Sequence, residues 1–503
     1  VEATRLHDLP RAQAETNPEA AALWWAGQPL TYRDLDQRIQ RLAGRLADSG
    51  SAGDRIGILA WNCPEFIELI YAASAAGKIL VPLNARLAPA ELADQLRHAG
   101  VGTLFADPEL LEGLAAHANF PADTTTVPLG DVYRDWLAEG PAGQLPDTDP
   151  HDPAWILFTS GSTGSPKGAI LPHSALLAGL RSAALGRPVL PGDRYYYPFP
   201  LFHVAAHNVL LQHQHGAAVV LARSFDAADT LQACRDIGVT TLSLAPTMIA
   251  LLLDHPNFDP ADLAGVRTIG YGAANMPPDL LHRLLDATDV GLCQSYGMTE
   301  LSGSVSFLTP EDHRLAAEEN RTALLQSVGR PLATAELRLE GEDGGDCSPG
   351  QSGEILVKGP QCMSGYWRDP DATERALVQG WLHTGDIGRF DQEGYLYIVD
   401  RKKDMIISGG ENVASREVEG VLRDHPALRD CAVIGLPDER WGETVCAVIV
   451  ADGDVTDQEL STFCRERLAG YKTPRRWIRR DNLPTNAAGK VDKPALRRAV
   501  AGS

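Results

Sequence analysis

Over the first 400 residues, short apolar runs alternate with longer stretches whose apolar positions recur at helical spacing. The runs at 54–61 (DRIGILAW), 78–84, 154–160, 217–223, 240–246 and 267–273 are aliphatic or β-branched and are bounded by Gly, Pro or Asp, which predicts strands. Between the runs lie helical patterns. The stretch 30–50 (LTYRDLDQRIQRLAGRLADSG) sets Leu35, Ile39, Leu42 and Leu46 three or four residues apart and stops at Gly50. Such alternation predicts α/β layers around parallel or mixed sheets.

The rhythm changes near residue 330. Segments 335–360 and 388–400 predict antiparallel hairpins, the second turning at Glu393-Gly394. The tetrad RKKD at 401–404 interrupts. A compact pattern follows, with a helix at 415–425, strands at 431–436 and 444–451, and a helix at 457–469. This predicts an N-terminal domain over 1–400, a joint at 401–403 and a small C-terminal domain over 404–503. The Pro-, Gly- and Asp-rich stretch 122–153 reads as a surface connection.

A chain of 503 residues is too long for one ordinary core, so two or more domains are expected. A net charge of −21 argues against nonspecific nucleic-acid binding and against docking on anionic lipid. It leaves room for an anionic small ligand, because a local site can oppose the global field. The eight cysteines are scattered, with no CxxC or Cys/His ligand spacing, which suits a reduced, cytoplasmic compartment. No apolar run approaches the roughly 20 residues of a membrane span. The N-terminal segment is polar, without a signal-peptide core, and its start at Val1 suggests that a few residues precede it.

The segment 156–168, ILFTSGSTGSPKG, carries the first candidate chemistry. Glycines let a backbone approach an anion, hydroxyls donate to it and a lysine adds a point charge, so the loop suits a phosphate. The spacing is not GxxxxGK[ST], and a plain flexible turn is the other reading of these residues alone.

Four segments in order settle the choice: FTSGSTGSPKGAILPH (158–173), QSYGMTE (294–300), GWLHTGDIGRFDQEGYLYIVDRKKDMIISGGENV (380–413) and LPTNAAGKVDKPALR (483–497). Together they resemble the adenylate-forming superfamily of acyl-CoA synthetases, peptide-synthetase adenylation domains and firefly-type luciferases. The resemblance implies a large N-terminal domain of layered α/β subdomains with a small β-barrel-like part, and a small mobile α+β C-terminal domain. It also implies ATP, Mg²⁺ and coenzyme A as cosubstrates and cofactor. A carboxylic acid would be activated as its acyl-adenylate with release of pyrophosphate, and the acyl group then passed to a thiol.

The resemblance assigns roles residue by residue. Thr159, Ser160, Gly161, Ser162, Thr163, Gly164 and Lys167 would hold the ATP phosphates, with Ser162 standing where threonine is usual. Glu300 would bind magnesium and Thr299 the α-phosphate. Gly272, Ala273, Ala274 and Gly297 would belong to the cofactor site, and Tyr296 would stack on adenine. Asp386 would take the ribose hydroxyls, two vicinal donors suiting a carboxylate. Ile398 and Arg401 would reinforce the nucleotide side. Lys490 would stabilise the adenylation transition state, where one anion meets another. Lys403 would be the hinge. Ser408, Gly409, Gly410 and Glu411 would face the thiol after rotation, and Lys472 would touch phosphate in one conformation. Where the superfamily usually continues GGENV with Tyr-Pro, this chain has Ala414-Ser415, so Ser415 offers an N-cap to the following helix.

For the acid, the resemblance points to His203 beside the carboxylate and to a pocket of Val204, Tyr271, Gly272, Ala273, Ala274 and the segment 301–306. These residues are small or apolar and include no Arg or Lys, which favours a monoacid with an apolar tail, fatty acyl ahead of aryl. No carrier domain follows Lys490, which favours CoA as acceptor. A stand-alone enzyme loading a carrier protein and a non-catalytic nucleotide- or acyl-binding regulator are the alternatives. The chain is expected to act as a monomer or homodimer.

Overall fold

The computed structural model describes residues 3–138, 144–159, 166–272, 276–408, 411–438, 440–486 and 489–501. The predicted strands form at Arg55–Leu59, Ile79–Pro82, Pro153–Thr159, Ala218–Leu221, Thr241–Ser243 and Thr268–Gly272. The helical pattern at 30–50 divides. Leu30 and Thr31 end a strand, and the helix Tyr32–Asp48 starts where the Thr31 side chain accepts the Asp34 N–H. Leu35, Ile39, Leu42 and Leu46 are all buried.

A nine-stranded sheet runs, in neighbour order, from Arg330–Pro331 through Gly303–Leu308, Gly291–Met298, Thr268–Gly272, Thr241–Ser243, Arg194–Tyr197, Ala218–Leu221 and Ala21–Trp25 to Gln28–Thr31. A seven-stranded sheet has Ile79–Pro82 between Pro153–Thr159 and Arg55–Leu59, all three parallel. Its far edge is Thr125–Pro128, paired to Val101–Ala106. The stretch 122–153 is therefore more than a connection. It supplies this edge strand and the helix Asp131–Ala138, because Thr124–Val127 offers β-branched residues and Tyr133 is buried.

The barrel-like part is a five-stranded antiparallel sheet built from Glu336–Glu340, Ser352–Lys358, Trp381–Phe390, Leu377–Val378 and Leu396–Arg401. The last two long strands form the expected hairpin, turning at Gly394 with φ 81°. A fourth sheet, of Glu411–Val413, Ile406–Ser408, Gly442–Ala451, Leu428–Asp438 and Arg476–Arg479, belongs to the C-terminal part with its own cores.

Ligands of open α/β sheets sit beyond the carboxyl ends of the strands. Here the ends of two sheets meet. Thr159 closes one strand of the seven-stranded sheet, Glu300 follows Gly291–Met298 of the nine-stranded sheet, and the Thr159 hydroxyl donates to Glu300 Oε1 at 3.4 Å. Among the described residues no helix is long and apolar enough to cross a membrane.

Candidate active site

Asp386 anchors one end of the cleft. It is nearly inaccessible, at 3% exposure, on the strand Trp381–Phe390 and stands in register opposite Arg401. Arg401 Nε lies 2.6 Å from its Oδ1, and the Tyr296 hydroxyl donates to its Oδ2 at 2.7 Å. Burial, then the Asp386 carboxylate, pushes the Tyr296 phenol well up, so it stays a donor. Gly297 follows at a bulge, where a Cβ would lie 1.9 Å from the Gly303 carbonyl oxygen, so only glycine fits. Ile398 is half-buried on the neighbouring strand.

Glu300 stands toward the other end. It is 6% exposed, in the short turn Thr299–Leu301. Its Oε1 accepts from the Tyr366 hydroxyl at 2.9 Å as well as from Thr159. Among the described residues no basic side chain pairs with it. The Lys167 ammonium lies 5.2 Å from the centroid of the Tyr366 ring. A buried carboxylate met only by hydroxyls is short of positive charge, and this oxygen donor set fits a hard cation such as magnesium.

Lys490 reaches the cleft from the C-terminal part. Its backbone pairs with Asn486: the Asn486 N–H donates to the Lys490 carbonyl at 2.7 Å and the Lys490 N–H donates to Asn486 Oδ1 at 3.1 Å. The lysine side chain is exposed, and desolvation first, then Arg401 and Arg416, lowers its pKa against the opposing pull of Asp386. His203 also feels it. Burial first, then Arg86 and Lys490, depress that imidazole to about 4, so it is neutral at ordinary pH. Lys490 thus stands within electrostatic reach of both Asp386 and His203.

Other expected residues lie elsewhere in this conformation. Ser408 accepts from Arg475 Nη1 at 3.0 Å, Glu411 is exposed, and Asn412 beside it donates to Glu342 at 3.0 Å. The Lys472 ammonium is 2.7 Å from Glu417. Lys403 is exposed in the turn after Arg401. None of these meets the Asp386–Glu300 cleft. Ser160 to Gly164, Ala273, Ala274, Gly409 and Gly410 lie outside the described residues.

Ser415 departs from its expected role. It is the first residue of the helix Ser415–Arg423, with Ala414 at the N-cap. Its N–H and hydroxyl both donate to Asp400 Oδ2, at 2.5 and 2.8 Å. The buried Asp400 carboxylate, on the strand Leu396–Arg401, caps the helix, and the Ser415 hydroxyl also accepts from the Lys493 ammonium at 2.5 Å. A proline there would lack the N–H.

Sequence reasoning missed Tyr366 and Asp400, as well as Arg187. Arg187 is buried just past the helix His173–Gly186. The segment 364–367, SGYW, an aromatic after a Gly turn, was the available signal for Tyr366. For Asp400 it was the carboxylate directly before Arg401.

A family model described as AMP-binding enzyme matches residues 10–367, and one described as AMP-binding enzyme C-terminal domain matches residues 417–490. The chain belongs to the AMP-binding enzyme family. It is an adenylate-forming enzyme of the acyl-CoA synthetase kind, an AMP-forming acid–thiol ligase that uses ATP, Mg²⁺ and CoA. This AMP-binding enzyme is 39% identical over 501 residues to a feruloyl-CoA synthase of Amycolatopsis sp., covering 98% of each chain. To a long-chain-fatty-acid–CoA ligase of Mycobacterium tuberculosis it is 34% identical, covering 97% of this chain and 95% of the relative. Its fold is similar to that of the o-succinylbenzoate-CoA synthetase of Bacillus subtilis in complex with ATP and magnesium ion, with a TM-score of 0.86 at 33% identity, covering 98% and 99% of the two chains.

Proposed function

We propose that this AMP-binding enzyme activates an aryl carboxylic acid and transfers it to CoA, with Lys490 as the residue that carries the first step. The acid's carboxylate oxygen attacks the α-phosphorus of ATP, the new C–O–P linkage forms, and pyrophosphate leaves. The single observation behind this is electrostatic: Asp386 and Arg401 act on the exposed Lys490, which in turn acts on His203. A cation there offsets the charge that builds as carboxylate and phosphate meet. Asp386 and Arg401 hold the ribose end, with Tyr296 beside them. Thr159, Lys167 and Thr299 hold phosphate. Glu300 would hold magnesium, which when bound neutralises phosphate charge. Neutral His203 orients the acid's carboxylate without adding charge.

The second step needs the thiol sulfur to attack the acyl carbon while AMP leaves. We assign 401–403 as the joint and Lys403 as its pivot, around which 404–503 would rotate to bring Ser408 and Glu411 to the cleft. Three observations support an aryl over a fatty acid. Relatives include a feruloyl-CoA synthase, an indoleacetate–CoA ligase and 2-succinylbenzoate–CoA ligases. Gly270 and Gly272 share one face of their strand, and the Arg187 guanidinium covers Gly270, where a long tail would run. We place the enzyme in the cytoplasm, which suits eight free cysteines and its use of ATP and CoA.

The test is pyrophosphate release with ATP and Mg²⁺ over benzoic, cinnamic and C6–C16 straight-chain acids, with and without CoA. CoA-stimulated turnover with the ring acids supports the proposal. Turnover with the straight-chain acids alone contradicts the aryl assignment. Pyrophosphate release that CoA leaves unchanged points to a carrier protein as acceptor.

A further inference from the structure

Arg187 is the one arginine among the described residues that is buried, at 8% exposure. No carboxylate of the described residues lies within ion-pair distance of it. Its partners are neutral. Nη1 donates to Ser243 Oγ at 2.8 Å, Nη2 donates to Asn208 Oδ1 at 2.8 Å, and the guanidinium carbon stands 5.2 Å from the Tyr195 ring centroid. By contrast, Arg401 meets Asp386 and Arg267 meets Asp193. A buried cation without a counter-charge is costly and asks for an acceptor.

The surroundings of Arg187 say where that acceptor comes from. Asn208 follows the turn Val204–Ala206 directly after His203, and its own amide donates to the Ala205 carbonyl at 3.0 Å, which fixes Oδ1 toward Arg187. Ser243 and Gly270 stand in register on parallel strands. A Cβ on Gly270 would lie 2.0 Å from Arg187 Nη1, so the guanidinium rests on bare backbone. Gly270 shares its face with Gly272, one pleat repeat or roughly 6.6 Å nearer the strand end. Ser243 Oγ already accepts from Arg187 and, at 2.6 Å, from the Tyr195 hydroxyl. Its own proton is therefore left to donate elsewhere.

We propose that Arg187, with Ser243, forms the far wall of the acid site and selects acids that carry an oxygen acceptor at the end remote from the activated carboxyl. This rests on the acid–CoA ligase reading. The shared chemistry is an oxygen acceptor on a ring. A second carboxylate and a phenolic oxygen are its two sources.

The experiment measures kcat/KM for pyrophosphate release by the full chain with matched acids: cinnamic, 4-hydroxycinnamic and 4-carboxycinnamic. The expected result is a preference of about tenfold or more for an oxygen-bearing member over cinnamic acid. Whichever of the two is preferred identifies the source. In R187M that preference should shrink to within about threefold, whatever the change in the rate with cinnamic acid. R187K, which keeps the charge but not the planar fork, should retain part of the preference. Equal rates for the three acids in the unaltered enzyme would overturn the inference and leave the ligase reading intact. So would a loss in R187M that is the same for every acid. Should R187M not fold, the unaltered enzyme and R187K decide alone. No turnover with any acid would overturn both.

Discussion

The two ends of the cleft are built on opposite electrostatic plans. At the nucleotide end, charges are matched within the protein or are ready for a known counter-ion. Asp386 has Arg401 at 2.6 Å and Tyr296 at 2.7 Å, and Glu300 has only hydroxyls around it. At the end proposed for the acid, His203 is held neutral, and Arg187, the one buried arginine among the described residues, has neutral partners only. ATP is the same whatever the acid, so its end can be complete before the ligand arrives. The acid end is left partly unsatisfied, and what satisfies it defines the substrate. Changes at the nucleotide end should therefore slow all acids alike, while changes at the acid end should re-rank them.

The largest expected effect is at Lys490. Lys490→Ala should slow adenylation by about 10²-fold or more with every acid, while thiolysis of supplied acyl-adenylate is largely spared. Single-turnover measurement of each half separates the two, and equal loss in both would break the two-step division. The lowered pKa of this lysine adds a pH signature. The rate of the first half should fall at alkaline pH below the ordinary lysine range of about 10.4, while neutral His203 gives no inflection between about pH 5 and 9.

Next comes Asp386→Asn, which leaves Arg401 without its acid. ATP KM should rise by about 10- to 100-fold, with the ranking of acids unchanged. Re-ranked acids in initial-rate assays would show that the two ends are coupled.

Stability toward acid follows. His207, His213 and His313 are buried with pKa values of about 4, chiefly through burial. The unfolded chain binds protons at these sites near the ordinary histidine value of about 6.5, and the folded chain does not. Their contribution is therefore complete above about pH 6.5 and is lost as pH falls toward 4, by about 3 kcal/mol for each group at full titration. Tm should drop steeply over that window in thermal melts. A flat Tm between pH 6.5 and 4.5 would contradict it.

The smallest effect is at the joint. Ser415→Ala removes the hydroxyl's bonds to Asp400 and Lys493 but keeps the N–H, so about 1–2 kcal/mol of stability should be lost. Ser415→Pro removes the N–H as well and should shift the ratio of the two half-reactions. An unchanged ratio would show that this contact does not bias the joint.

What the sequence made legible follows the same division. Thr159, Glu300, Asp386 and Lys490 sit in the short motifs that carry the family resemblance, and that resemblance is what proposed ATP contacts for them. Strands such as 267–273 were legible because their apolar runs are buried on both faces. The acid end was not legible. Arg187 reaches Ser243 and Asn208 across three separate elements, and no local spacing announces a contact between residues 56 positions apart. The expectation of a pocket without Arg or Lys came from the residues the resemblance assigned around His203, Tyr271 and the segment after Glu300, among which Arg187 does not appear. Tyr366, 66 positions from Glu300, was hidden for the same reason. The Ser415 cap was misread because its acceptor lies 15 residues earlier, across the joint.

The most direct test of the central claim is ATP-dependent pyrophosphate release by the intact chain with the panel of acids, compared between the unaltered enzyme and Lys490→Ala. The account predicts release that requires an acid and Mg²⁺, is stimulated by CoA, and falls by a common factor for all acids in the variant. Release that persists in Lys490→Ala, or an unaltered enzyme that releases none with any acid, would contradict it.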